Sequence, residues 1–222
     1  MKRANSKQKR LEAHSKEKRL KRIRIVGAVA IIIASAAAFY FLRNAGRLPA
    51  SEAAALVAPN RIGPENAAVK IVEFGDFGCP ACRSWHNMGI QEQLTADFGD
   101  QISFEFRHFP VITLQSPLAA EAAQCAAEQD SFWAYHDYIY EETREGALSK
   151  EDLQSYASAI GLDQAAFDSC LESGRFKELV RQDQRAAQNA GARGTPTFLI
   201  NGQQAFPSYQ SMSAEIQEIL GG

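Results

Sequence analysis

Val69-Lys70-Ile71-Val72-Glu73-Phe74, followed four residues later by Cys79-Pro80-Ala81-Cys82, is the stretch that decides the fold. The first six residues alternate in a β-branched context and read as a buried strand, and a helix-like run follows the second cysteine. A C-x-x-C that closes a strand and opens a helix reads as a redox site. Cysteines three apart on a helix share one face, where their Cβ atoms come close enough for an unstrained disulfide. Pro80 suits the first helical position, where a missing N–H costs nothing. Cys79 then stands at the helix start, facing unpaired N–H donors and the positive end of the dipole. Both favour the thiolate, which is the attacking species in disulfide exchange. Cys82, one turn inside, is the less exposed thiol and resolves mixed disulfides. The same spacing also serves as half of a tetrahedral metal site. That reading lacks its other half, because there is no second C-x-x-C and no His pair, and Cys125 and Cys170 stand alone in separate helical segments. No metal is expected.

Outward from this motif, a helix is predicted from Pro80 to about Phe98, ending near Gly99, and a second strand from Ile102 to Phe109, closed by Pro110. Together they make a βαβ unit. From Ser116 to Asn189 nearly everything reads as helix, with candidate N-caps at Ser116, Asp130, Ser149 and Asp163 and stops at Gly146, Gly161, Gly174 and Gly191. Strand character returns at Thr197 to Ile200, Asn201-Gly202 offers a hairpin turn into Gln203 to Phe206, and a last amphipathic helix runs from about Ser211 to Leu220. The fold class is α/β with a helical insertion at about 112–190.

The net charge of −2 conceals a division. Residues 1–24 hold 11 Lys or Arg against Glu12 and Glu17, which leaves 13 basic and 24 acidic residues in the rest. Between the two parts, Ile25 to Leu42 is 18 residues without a charge, bounded by Arg24 and Arg43, and near the minimum length for a spanning helix. It reads as a transmembrane signal anchor. A cleaved signal peptide competes, but the basic leader is long, the apolar run exceeds a usual signal core, and no clear small-x-small site follows Leu42. The positive-inside rule places residues 1–24 in the cytoplasm and the cysteine domain outside, where disulfides persist. Residues 43–60, with Pro49 and Pro59, read as a linker, and the folded domain as 61–222. The basic leader abuts a membrane span and has no Phe, Tyr or Trp for stacking, so headgroup attraction explains it and no nucleic-acid partner is expected. Cys125 and Cys170 are expected to form a structural disulfide, against the alternative of two buried free thiols.

The stretches IVEFGDFGCPAC, FRHFP, AAEQDSFWAYHDYIY and RGTPTFLING, in this order, resemble the DsbA-like branch of the thioredoxin superfamily over roughly residues 61–222. The resemblance implies a thioredoxin-like core interrupted by a helical domain, Cys79 as nucleophile and Cys82 as resolving thiol. It implies that Thr195-Pro196 faces the disulfide, with the proline cis and its backbone free to pair with an extended peptide. Glu73, six residues before Cys79, matches the buried acid of thioredoxin-like proteins. Alternation puts it on the strand face of Ile71 and Val69, where its carboxyl should have a raised pKa and could exchange a proton with Cys82. A solvent-exposed strand-edge glutamate is the plainer reading. His86 reads as a surface or packing residue, Trp85, Trp133, Tyr135 and Tyr138 as packing, and His108 as surface or rim.

These readings converge on a membrane-anchored thiol-disulfide oxidoreductase of the periplasm or extracytoplasmic space, acting as a monomer on cysteine-containing proteins. It needs no cofactor beyond its own dithiol and requires a DsbB-like or equivalent membrane partner to restore its redox state. Oxidation of substrates is the expected direction. Ala81 stands where the best-known DsbA pattern has histidine, which removes a cation beside Cys79 and weakens the oxidant. A reductase or isomerase of the same fold and a non-catalytic peptide holdase are the alternatives.

Overall fold

The computed structural model describes residues 60–221 together with Ser35. The expected tail 1–24, the anchor 25–42 other than Ser35, and the linker up to residue 59 lie outside the described residues. Among the described residues, no helix is long and apolar enough to cross a membrane. The chain divides into two compact units, Met1–Gly46 and Arg47–Gly222, and all of the elements below belong to the second.

Strand β1 (Arg61–Ile62) leads into β2 (Val69–Gly75), helices α1 (Pro80–Asn87) and α2 (Ile90–Phe98), and β3 (Ile102–His108). Five helices follow, α3 (Ser116–Ala127), α4 (Phe132–Glu141), α5 (Lys150–Ala159), α6 (Gln164–Ser173) and α7 (Lys177–Asn189). The hairpin β4 (Thr197–Ile200) and β5 (Gln203–Ala205) and helix α8 (Tyr209–Gly221) complete the unit. The sheet order is β1-β3-β2-β4-β5, with β2 and β3 parallel and the other pairs antiparallel. This is a thioredoxin-like α/β sheet with the helices of 116–189 inserted between β3 and β4.

Strand β2 is central, and its alternation sends Val69, Ile71 and Glu73 to one face, with Lys70 exposed between them. Glu73 pairs in register with Phe106 of β3 and Phe198 of β4, so it sits in the middle of the sheet. Helix α1 buries Cys82, Trp85 and His86, the i, i+3, i+4 spacing of one helical face. The Trp85 ring lies 4.4 Å from that of Phe198 and 5.8 Å from that of Phe104, so truncation to alanine would cost about 3–5 kcal/mol. Within the insertion, α3 is almost wholly buried against α4 and α6, and its alanines permit the close approach.

Several local expectations need correction. The helix predicted from Pro80 to Phe98 is two helices, broken at Met88-Gly89. Gly89 has φ +65° and its N–H turns back to the His86 carbonyl at 2.8 Å, a conformation that a β-carbon disfavours. Ser149 caps α5 in a reciprocal box with Asp152, and Asp163 caps α6 through the Ala166 N–H, as expected. Ser116 and Asp130 do not cap. Ser116 already lies inside α3, its hydroxyl bonded to Thr113, and Asp130 adopts φ +55° one residue before Ser131 at the start of α4. Gly146 sits in the loop after α4, which ends at Glu141. The two-residue strand β1 was too short to show a period.

Candidate active site

Cys79 occupies the N-cap position of α1 with an extended backbone, and Pro80 follows at the first helical position. Its own N–H is held by the Asp76 carbonyl at 2.9 Å. The Cys79 thiol does not cap the helix but donates across the molecule to the Thr195 carbonyl at 3.2 Å. The bond Thr195-Pro196 is cis. Thr195 and Pro196, with Arg193, Gly194 and Gln204, line an open depression of about 520 Å³.

The two cysteines are both free and both covered, Cys79 at 5% exposure and Cys82 at 0%. Cys82 is the less exposed thiol, as expected, but Cys79 is covered as well, with its sulfur held at the Thr195 carbonyl. The asymmetry in ionisation is large all the same. The Cys79 pKa is lowered from 9.0 to about 6, first by the hydrogen bond from the Cys82 thiol, against the opposing effect of burial. The Thr195 hydroxyl and the amides of Cys82 and Ala81 add to it. The Thr195 Oγ1 has no partner in the dithiol form, and so is free to donate once the sulfur carries charge. The Cys82 pKa is raised well above its ordinary value, by burial first and then by its bond to Cys79 and the Glu73 charge.

Glu73 is 3% exposed, and burial, followed by the Cys79 charge, raises its pKa from 4.5 to about 8. The strand-edge reading of Glu73 thus fails, since its carboxyl lies inside the sheet face beneath the dithiol. At neutral pH it holds a proton in a site that feels both sulfurs.

Asp76 is the residue that sequence reasoning missed. It is buried, and its Oδ1 accepts from the Gly78 N–H at 2.7 Å while its Oδ2 accepts from Val111 and Ile112 at 2.7 and 2.8 Å. Its carbonyl takes the Tyr140 hydroxyl at 3.1 Å. One side chain therefore ties the loop before Cys79 to the turn after β3. Gly78 permits this approach, since a β-carbon there would lie 2.7 Å from the Ser116 hydroxyl. An Asp two residues before Gly78 is the signal of a local side-chain turn, and could have been read. The link to residues 111 and 112 could not.

Three histidines are buried nearby. His86 bonds Glu141 at 3.0 Å, so it packs between helices and is not a surface residue. His108 is not at a rim: it bonds Gln124 at 2.8 Å, and burial drives its pKa down to about 3. Burial also lowers the pKa of His136. Phe77 packs its ring against His136 and Tyr140, which closes the underside of the site. Arg83 donates to the Tyr140 and Thr143 carbonyls and so ties α1 to the end of α4. Within the insertion, the sulfurs of Cys125 on α3 and Cys170 on α6 are bonded, with Cα atoms 5.7 Å apart.

Residues 56–218 match the thioredoxin family model Thioredoxin_4. "Probable disulfide bond formation protein D" of Bacillus anthracis is 31% identical over 205 residues, covering 88% of this chain and 94% of that protein. A Na(+)/H(+) antiporter NhaA from Herminiimonas arsenicoxydans is 38% identical over 149 residues, which are 67% of this chain. This chain spans only 23% of the antiporter's length. The crystal structure of oxidised BdbD from Bacillus subtilis superimposes with a TM-score of 0.66 at 26% identity, covering 74% of this chain and 94% of that one. The acidic thiol at a helix start, the proton-holding carboxyl below it and the covering Thr195-Pro196 turn are thus found on a matching sequence and a matching fold, and the chain belongs to the DsbA-like thioredoxin family of thiol-disulfide oxidoreductases.

Proposed function

We propose that this chain introduces disulfides into cysteine-containing proteins outside the cytoplasm, tethered by the segment 25–42. A substrate thiolate attacks the Cys79 sulfur of the Cys79-Cys82 disulfide, which forms a mixed disulfide and releases Cys82 as a thiolate. Glu73 supplies the proton that Cys82, with its raised pKa, takes up. A second substrate thiolate then attacks the substrate sulfur of the mixed disulfide and expels Cys79 as a thiolate. Two electrons have passed from substrate to enzyme, one new disulfide has formed, and no metal or organic cofactor takes part. A quinone-linked membrane oxidase would return the electrons and reclose the pair.

The Cys79 pKa of about 6 carries the direction. A thiol ionising there and not at 9.0 is mostly thiolate at pH 7, which favours the reduced enzyme about tenfold, or roughly 30 mV for a two-electron couple. A stabilised reduced form is what makes an oxidant. The cis-proline turn and its depression offer backbone for an extended substrate, and exposed Val111, Ile112 and Leu114 on the turn held by Asp76 add an apolar rim. The chain serves as a monomer in this scheme.

The test is the equilibrium of the purified protein with glutathione at pH 7, combined with oxidation of a reduced peptide dithiol. A couple more oxidising than about −200 mV is expected, and Ala81→His should make it more oxidising by placing a cation beside the thiolate. A couple near the roughly −270 mV of thioredoxin makes the protein a reductase, and failure to exchange at all makes it a holdase.

A further inference from the structure

One turn below Cys82, α1 carries His86 into contact with α4, which brings His136, Asp137 and Glu141 to the same point. His86 Nε2 lies 3.0 Å from Glu141 Oε1 and 4.0 Å from Asp137 Oδ1. His136 Nδ1 lies 2.8 Å from that same Asp137 oxygen. One donor atom from each of His86, His136 and Asp137 falls within 4.8 Å of the other two. The two imidazoles are buried, at 5% and 2% side-chain exposure, and the two carboxylates are half exposed, at 46% and 55%. The remaining ring nitrogens, Nδ1 of His86 and Nε2 of His136, are buried without a hydrogen-bond partner.

We propose that His86, His136, Asp137 and Glu141 form a binding site for a divalent transition metal of the zinc class, separate from the dithiol. Two imidazoles and two carboxylates suit a borderline cation, whereas magnesium and calcium sites are built from oxygen alone. Zinc holds four donors tetrahedrally at about 2.0–2.2 Å, which sets donor atoms about 3.3 Å apart. The separations of 2.8, 3.0 and 4.0 Å straddle that value. His86, His136 and Asp137 form the compact part of the set, and Glu141, held at His86, swings in as the fourth donor by rotation of its half-exposed side chain. The two carboxylates balance the charge of the ion. Their exposure supplies its path, through an open depression of about 360 Å³ lined by His86, Asn87, Gly89, Glu92 and Glu141. No cysteine belongs to the set, so the ion takes no part in thiol exchange. Its effect is mechanical, because it pins the helix that bears Cys79 and Cys82 to helix α4 of the insertion.

The test uses the full-length chain in detergent, stripped of metal by a chelator, with the Cys79-Cys82 disulfide closed so that no thiol competes. ZnCl₂ is titrated by calorimetry and CoCl₂ by visible absorption. One equivalent should bind, with the intense d–d bands of four-coordinate cobalt, and the melting temperature should rise by roughly 5–10 °C at a hundredfold excess over the dissociation constant. Asp137→Asn and Glu141→Gln remove the charge but keep an acceptor for the buried imidazoles, and so leave the metal-free melting temperature nearly unchanged. Each should weaken zinc binding at least about tenfold, and the double variant should lose it. The proposal is overturned if the oxidised wild type binds no zinc saturably, or if the double variant binds with unchanged affinity. The dithiol chemistry is unaffected by either outcome.

Discussion

Cys79 and Cys82 are one helical turn apart and ionise in opposite senses, the first acidic at about 6 and the second held protonated by burial. Cys79→Ser should therefore abolish exchange, whereas Cys82→Ala should leave an attacking thiolate without a resolver and accumulate mixed disulfides. Non-reducing gels of the two variants check this, and adducts trapped on Cys82 would reverse the roles. Glu73 adds a pH signature. Its folded pKa of about 8 exceeds the unfolded 4.5, so between these values the unfolded chain gives up a proton that the folded chain keeps. Stability on this account is fully present below about 4.5 and falls as pH rises towards 8. His108 acts in the opposite sense, because its folded pKa near 3 lies below 6.5 and stability is lost as pH falls through that window. In the oxidised protein, Glu73→Gln should remove the alkaline decline, with a gain of up to about 4 kcal/mol at pH 8. It should also slow exchange roughly 10–100-fold by removing the proton donor. Chemical denaturation across pH 4–9 and single-turnover exchange measure the two effects, and an unchanged slope would place the Glu73 charge in solvent.

Helices α3 and α6 meet at Cys125 and Cys170, 45 residues apart in sequence. Replacing both by alanine should lower stability by roughly 2–4 kcal/mol and leave exchange intact, because neither belongs to the C-x-x-C pair. Peptide mapping without reductant should recover the linked pair, and alkylation of both thiols in the native protein would refute it. At this scale the sequence was legible where a pattern is local. Strands β2, β3 and β4, the hairpin, and the caps at Ser149 and Asp163 follow from alternation and side-chain chemistry within a few residues. The break at Gly89 was hidden because its apolar period continues on both sides, and only the left-handed backbone there separates α1 from α2. Strand β1 exists because β3 has an open edge to pair with, which two residues cannot announce.

The division of charge between residues 1–24 and the rest makes topology testable for the whole chain. Reporter fusions at the N-terminus and at Arg61 should report cytoplasm and exterior respectively, and a soluble product lacking residues 25–42 would mean a cleaved signal. By itself the sequence determined the order of strands β2 to β5, the redox character of Cys79 and Cys82, the face on which Glu73 lies and the helical block between two strands. Each of these is a matter of spacing along the chain, where periods of 2 and 3.6 residues report which side chains share a surface. The resemblance to DsbA-like proteins, and not any spacing, placed Thr195-Pro196 against the thiol. Only the tertiary structure decided that Asp76 reaches the backbone of residues 111 and 112, that His108 is buried and neutral, and that His86 meets His136 and Asp137. Such contacts join segments 35 to 50 residues apart, as from Asp76 to Val111 and from His86 to His136. Burial, and with it every displaced pKa, sums over all neighbours in space, and a linear pattern carries no record of them.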